Sequence, residues 1–423
     1  MGEIETIGIG VGPANLAFLT AILDHAGASM QPENVIFLER SEKFRWQYQR
    51  DDFGRLQLPY LKDLATQRNP RSRFTFLNFL HEHNRLEAFI NLRDLFPALE
   101  EIAEYLAWVA NLCGNLIRFD CDVKRIEAVY DDNGNVDRLK LTVRNAGVMT
   151  SYYARTIILG CGRNPHIPLR ARSAVGNRML HTAGADVGSL DRLMRICAEQ
   201  PLLIVGSGQS ALETALRLLD LGLPRTEVYL RGSSPRAIDD NPFVNFWYQT
   251  AGAKRFAELN TDARRAILQE LAGTNRGVVE RTLLDELFRR QYDGLRAGVE
   301  RISFRPRQSL VDVREIGDGI VCVFEHTDTK ETTEVVAGGV VLATGYDGPD
   351  LALLDDLLDW IEIDGNGWPS IGSDRCLKTR NGFRPRIFIN GNWDHYFGPA
   401  DSTFSTIAQR GGDLFRSVFE ARQ

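Results

Sequence analysis

Gly8, Gly10 and Gly12, with Pro13 behind them, have the spacing of a phosphate-holding turn, and Gly206 and Gly208, with Gln209 and Ser210 behind them, repeat it. Glycine lets the backbone take positive φ and come close to a pyrophosphate, where side chains would block the approach. The helix after such a turn offers unpaired N–H groups to the phosphates. Two turns in one chain imply two dinucleotides and electrons passed between them. Glu39 closes the short apolar run after the first turn, where a carboxylate accepts both hydroxyls of an adenosine ribose. Pro13 replaces the usual third glycine, which points away from a simple nicotinamide dehydrogenase and towards a flavin. At the place equivalent to Glu39 in the second unit stands Arg231. A cation there pairs with a 2′-phosphate and selects NADPH over NADH, unless Arg231 is only a solvated surface residue. Ser207, Gln209 and Ser210 bring short polar groups to the same phosphates.

Other chemistry has little support. Cys113, Cys121, Cys161, Cys197, Cys322 and Cys376 form no C-x-x-C pair, so no redox disulfide or zinc site is expected. Dioxygen or a small bound acceptor is the expected recipient of the electrons. His81 and His83 are the closest histidines and, two apart on a helix, face different ways, so no metal is expected. Asp239 and Asp240 read as a turn before Pro242 rather than as an acid–base pair. Trp46, Arg45, Arg50 and Arg55 fall in a polar loop that either flanks the flavin or is simply solvated.

The elements that must position these residues alternate between strand and helix. Residues 3–8, 35–38, 202–205 and 227–230 read as strands, and residues 13–24 and 209–221 as the helices behind the two turns. Residues 121–130, 138–143 and 152–159 read as a smaller antiparallel layer, and residues 302–311, 320–326 and 334–342 as further strands. Helical spacing covers residues 72–85, 92–113, 253–271, 280–292 and 403–420, with an apolar strand at 386–390. The expected fold is α/β, with two Rossmann-like dinucleotide-binding domains, the NADPH domain inserted into the FAD domain, and a small helical substrate-binding region. The expected division gives residues 1–165 and 335–423 to FAD and 200–334 to NADPH, with the helical region around 240–295.

The chain's 423 residues leave room for two or three domains. A net charge of −6 gives it no electrostatic reason to seek nucleic acid or an anionic membrane. No apolar run is long enough to span a bilayer and the opening residues read as strand and turn rather than export signal, so a cytoplasmic location is expected.

The segments LQLPYLKDLAT (56–66) and RNPRSRFTFLN (68–78) resemble the microbial N-hydroxylating flavoprotein monooxygenases, the L-ornithine N5- and L-lysine N6-monooxygenases. DDNPFVN (239–245), Thr274-Asn275, ATGY (343–346) and DSTFS (401–405) extend the resemblance over nearly the whole chain, in order. The resemblance implies that Lys62 holds the substrate carboxylate, Asn245 helps hold the amino-acid backbone, and Asn275 and Ser405 lie near the reacting amine. It also implies that Gln57 and Asp401 serve the FAD site and that Arg231 grips the NADPH 2′-phosphate. Read as residues alone, Lys62 is either that clamp or a surface ion pair with Asp63, and Asn245, Asn275 and Ser405 are equally able to cap helices. Two positions depart from the family. Arg276 stands where an aromatic residue usually follows the T-N asparagine, and Gly398-Pro399-Ala400-Asp401 replaces G-L-S-D. Arg276 either repels a cationic side-chain amine or offers a second clamp for a carboxylate.

The expected activity is FAD- and NADPH-dependent N-hydroxylation of a primary amine by dioxygen, feeding siderophore or related metabolite biosynthesis. Ornithine and lysine come first as substrates, with a diamine or an acidic amino acid as alternatives, and an uncoupled NADPH oxidase as the rival activity. No side chain is required as a catalytic acid, base or nucleophile. The family also carries the expectation of a homo-oligomer, dimer or tetramer.

Overall fold

The computed structural model describes residues 4–26, 34–46, 54–184, 187–197, 200–223 and 225–420. Arg50 of the expected loop lies outside the described residues, as does Glu3 at the start of the first strand. Parallel strands covered on both faces read as nearly continuous apolar runs, and TIGI, VIFL and TIIL are such strands. Thr6–Ile9, Val35–Leu38 and Thr156–Leu159 are buried throughout and join Arg386–Ile389 and Ile117–Arg118 in one parallel sheet. Successive side chains serve opposite faces, as the pleat requires. Phe37 and Ile158 enter the core beneath the helices Pro13–Ala26, Leu99–Leu112 and Ile407–Phe415. Ile36, Leu38, Ile157 and Leu159 enter the core on the other face, shared with the antiparallel strands Cys121–Tyr130, Val136–Asn145 and Val148–Ala154.

The second unit repeats the plan. Leu202–Val205, Thr226–Leu230 and Ile302–Pro306 lie in a parallel sheet with Gly339–Leu342 and Met179–His181. The helices Gln209–Asp220 and Arg281–Arg296 cover one face, and the antiparallel strands Gln308–Ile316, Gly319–His326 and Thr332–Ala337 cover the other.

The pairing corrects the expected division in two places. Gly339–Leu342 sits beside Leu202–Val205, and Met179–His181 sits beyond it, so the second sheet draws on residues outside 200–334. An apolar strand announces its burial but not its sheet, which is why the boundary at 334/335 fell too early. Residues 152–159 are likewise two strands. Val148–Ala154 ends the antiparallel layer, and Thr156–Leu159 enters the parallel sheet between Thr6–Ile9 and Arg386–Ile389. The chain passes between units twice, and the passages Arg163–Pro165 and Tyr346–Pro349 pair antiparallel with each other.

The expected helix over 253–271 is broken into Thr250–Ala257 and Thr261–Glu270, because the Asn260 side chain accepts from Ala263 N (2.9 Å) and starts a new helix. At the tail, Gly411 lets Ile407–Phe415 press against Pro13–Ala26, since a Cβ there would lie 2.6 Å from the Ala17 carbonyl oxygen. That neighbour is helix backbone and cannot yield cheaply. Gly411→Ala should therefore destabilise the first unit by about 1–3 kcal/mol. The expected observation is a lower apparent melting temperature and faster loss of bound flavin than in the parent protein, measured by thermal unfolding and filtration.

Candidate active site

The first turn follows Thr6–Ile9 and opens Pro13–Ala26. Gly10 has φ +80°, and a Cβ there would lie 2.7 Å from Gly160 O, while a Cβ on Gly8 would enter the Phe37 ring. Gly12 faces open space and, with Pro13, forms part of the wall of a cleft of about 510 Å³. Glu39 stands at the end of its strand as expected, accepting from Val11 N (2.8 Å) and Ser41 N (3.0 Å). Its carboxylate thus braces the turn itself. Asn15 was not singled out from sequence, although it ties the turn down by donating to Gly10 O (2.7 Å) and Ile9 O (3.2 Å). Asn390 Nδ2 in turn donates to Asn15 Oδ1 (2.9 Å), which joins the first turn to the last strand.

At the second turn Gly206 has φ +141° and its missing Cβ admits the Ala343 carbonyl. Gly208 does the same for Gly277 at 3.2 Å. Gln209 is engaged differently from the sequence expectation. Its amide receives Glu280 N (2.9 Å) and donates to Glu213 Oε1 (2.9 Å), so it locks the helix start to the 274–280 segment. Arg231 is exposed beyond the end of Thr226–Leu230 and makes no ion pair with a described residue.

One cleft collects residues that lie far apart in sequence. Gly12, Pro13 and Gln57 come from the first unit, and Gln209, Ser210, Asn275 and Arg276 from the second. Asp401 arrives from the tail, and Trp46 and Phe404 form an apolar corner with ring centroids 5.4 Å apart. Gly8, Gly10, Glu39, Gly206, Gly208 and Arg231 are not part of its lining, and neither are Lys62, Asn245 and Ser405.

Lys62 is half-buried without an ion pair among the described residues, and burial lowers the pKa of its ammonium. The alternative pairing with Asp63 is absent. Asp63 turns inward and accepts from Ala65 N, Thr66 N, Thr66 Oγ1 and Phe76 N. Asn245 donates to Asp240 O (2.9 Å), back across its own turn. Ser405 is buried and its Oγ has no partner among the described residues. Asp239 accepts from Asn241 N (3.1 Å), the turn that Pro242 called for.

Asp401 lines the cleft but both its oxygens are engaged. Oδ1 accepts from Arg375 (2.6 Å) and Arg410 (3.2 Å), and Oδ2 from Trp393 N (2.9 Å). Asp401 thus stands in the cleft wall and holds the tail in place at the same time. Burial alone would raise the Asp401 carboxyl, but the two guanidiniums and these hydrogen bonds hold it down to about 2. Arg276 binds the buried Asp394 carboxylate and Ser402 Oγ, and Arg163 binds the same Asp394 oxygen (2.8 Å). Sequence reasoning missed Arg163 and Asp394. They are 231 residues apart and belong to no spacing pattern.

Two parallel sheets whose glycine turns supply residues to one cleft define a two-dinucleotide flavin oxidoreductase. A family model for L-lysine 6-monooxygenase/L-ornithine 5-monooxygenase matches residues 3–348, and the chain belongs to that family. It is 31% identical to an L-ornithine N(5)-monooxygenase of Burkholderia cepacia, covering 92% of this chain and 88% of that protein. It is 30% identical to the L-ornithine N(5)-monooxygenase of Pseudomonas aeruginosa, covering 98% and 94%. Among solved structures it is similar to the Kutzneria ornithine N-hydroxylase with reduced FAD, NADP+ and L-ornithine (TM-score 0.92, 27% identity, 100% of both chains). The L-lysine 6-monooxygenase of Pseudomonas syringae gives a TM-score of 0.85 at 27% identity over 100% of both chains. The chain is an N-hydroxylating flavin monooxygenase that uses FAD and NADPH.

The residues present fit those cofactors. Gln57 Nε2 and Asn390 Oδ1 are buried without partners among the described residues, and both residues line the cleft beside the open face of Gly12. Buried polar atoms left this way need a partner, and a flavin's polar edge supplies donors and acceptors.

Asp401→Asn would leave Arg375 and Arg410 buried against a neutral amide, at a cost of about 3–5 kcal/mol. Because the folded carboxyl titrates below its unfolded value, its contribution is present above about pH 4 and is lost as pH falls through about 2. Urea unfolding at pH 7 and at pH 3 should show the variant far weaker at neutral pH, with the gap narrowing in acid.

Proposed function

We propose that the enzyme N-hydroxylates the primary amine of a free amino acid whose α-carboxylate is held by Lys62. The observation that carries this reading is a half-buried ammonium with no ion pair among the described residues, its neighbour Asp63 turned away into backbone bonds. An ammonium in that state gains most from an incoming carboxylate. In the same reading the first parallel-sheet unit takes FAD through Gly8, Gly10, Gly12, Pro13, Glu39 and Gln57. The second takes NADPH through Gly206, Gly208, Gln209 and Ser210, with exposed Arg231 on the 2′-phosphate. Asp401 serves the flavin side indirectly, by holding the tail in place.

When bound, the two cofactors supply reducing equivalents and activate dioxygen. The chain's own task is to orient the amine and keep it neutral, because an ammonium has no lone pair with which to attack oxygen. Arg163 and Arg276 at the cleft wall disfavour a cation there, and partial burial acts in the same direction. Asn275 stands in the wall to position the amine, and the unpartnered Ser405 Oγ is a further donor and acceptor near the tail helix. Displacement of the amine by even an ångström should lower the rate steeply. Asn245 acts one step back, by shaping the turn at Asp240.

Ornithine and lysine, named for the relatives, are the first amino acids to offer. A hydroxylamine product suits siderophore or related metabolite biosynthesis. A dimer or tetramer in the cytoplasm fits this reading, supported by the apolar stripe Phe288, Tyr292 and Leu295 left exposed on Arg281–Arg296. Among the described residues no helix is long and apolar enough to cross a membrane.

The test incubates FAD-loaded enzyme with NADPH, oxygen and a panel of ornithine, lysine, diamines and acidic amino acids, measuring oxidised nitrogen beside peroxide. Hydroxylated product from one class of amine is the expected result, and stoichiometric peroxide with every amine would make it an oxidase instead. For the NADPH site, Arg231→Ala should raise KM for NADPH roughly 10- to 100-fold while leaving KM for NADH nearly unchanged, since only the former carries the 2′-phosphate. Equal effects on both nucleotides would remove Arg231 from that role.

A further inference from the structure

Two arginines of the cleft wall, one from the passage between units and one from the second unit, meet at the buried carboxylate of Asp394. Arg163 lies on the first passage between units, and Arg276 follows Asn275 in the second unit. Both bind Asp394 Oδ2, and Ser402 Oγ joins them, donating to the same oxygen at 3.2 Å. Two guanidiniums on one carboxylate leave a positive charge uncancelled. Asp401, another acid of the lining, is already matched by Arg375 and Arg410.

The donors are under-used as well. Arg163 Nε is buried and has no partner among the described residues. Arg276 bonds through a single terminal nitrogen, and its side chain is 52% exposed, although burial and the Arg163 charge both lower its pKa. A guanidinium fork presents several N–H groups in one plane and is best satisfied by a two-oxygen acceptor. An ammonium brought to this wall would meet like charge in a partly desolvated place, which is the arrangement that rejects a partner.

Resting on the amino-acid N-hydroxylation proposed above, we propose that the substrate carries a second carboxylate, received by Arg276 and Arg163, so that the enzyme acts on a short dicarboxylic amino acid. Lys62 takes one carboxylate and the arginine pair the other. The only amine of such a molecule is its α-amine. In the reaction one atom of dioxygen enters an N–H bond to give N–OH. The other atom leaves as water, taking the hydride equivalent of NADPH (two electrons and a proton) and one further proton, and NADP+ is released.

The test uses FAD-loaded enzyme saturated with NADP+. Calorimetry reads binding of succinate and glutarate, which have no amine, and of L-aspartate, L-glutamate, L-ornithine and L-alanine. The same panel is run under turnover with NADPH and oxygen. Dicarboxylates should bind at least roughly tenfold more tightly than ornithine or alanine, and one dicarboxylic amino acid should give hydroxylated amine. Arg276→Met should weaken dicarboxylate binding about 10- to 100-fold, and Arg276→Lys should restore part of it. Ornithine turned over in preference to both acidic amino acids would overturn the second-carboxylate proposal and leave the N-hydroxylation standing. The second-carboxylate proposal also fails if Arg276→Met weakens NADP+ but not dicarboxylates, which would assign the residue to the nucleotide. Peroxide with every amine, while dicarboxylates still bind through Arg276, would instead remove the N-hydroxylation and keep the anion subsite.

Discussion

The cleft depends on one buried carboxylate. Asp401 takes two arginines and a backbone N–H into the protein interior, and so ties the tail loop to Arg375, to Trp393 and to Arg410 on the tail helix. Such a cluster is a costly way to gain stability, because three charges must leave water together. Its return is position. Trp393 N is pinned by Asp401, the next residue is Asp394, and Asp394 receives Arg163 from the passage between units and Arg276 from the second unit. A hydrophobic replacement could fill the same volume but could not carry a chain of directional bonds from the tail to the far wall.

Both sheets express a second constraint. A parallel strand has to be covered on two faces, and each unit meets that need with helices on one side and three antiparallel strands on the other. The glycine turns then fall at the same end of their strands, each leading into its covering helix. With the two passages between units paired as neighbouring strands, residues from the two turns reach one cleft. Electron transfer between dinucleotides needs that proximity, and the topology supplies it without any reactive side chain.

How much of this could be read beforehand follows the range of each signal. The glycine turns, Glu39 at a strand end and exposed Arg231 at its counterpart are local patterns, and the structure places them at strand ends as the spacing implied. Which sheet Gly339–Leu342 joins is a long-range choice, and an apolar run carries no address. Side-chain direction was also hidden. Lys62 and Asp63 look like an ion pair in the sequence, yet adjacent residues in a turn point apart, and Asp63 bonds Phe76 N. Gln209 fits a phosphate-binding pattern, and its side chain also bonds Glu280 N, a partner 71 positions away that no local pattern names. The Arg163–Asp394 contact gave no sequence signal at all, since neither residue repeats, alternates or sits in a recognised motif.

That last contact changes how Arg276 should be understood. In isolation an arginine beside an amine site looks damaging, because it repels the ammonium form of any substrate. Paired with Asp394 it is partly neutralised, and Arg163 then restores the charge. The wall therefore acts on a substrate in two ways at once. It lowers the pKa of a nearby amine, which favours the only protonation state able to react, and it rewards an anion placed against it. Under the second-carboxylate proposal, a diamino acid uses the first effect and gains nothing from the second. In the same proposal a dicarboxylic amino acid gains from both, provided its amine lies within reach of the field while its carboxylate meets the guanidiniums. Because Arg163 comes from the passage between units and Arg276 from the second unit, the proposed selectivity would belong to the assembled cleft and to neither half of the chain alone.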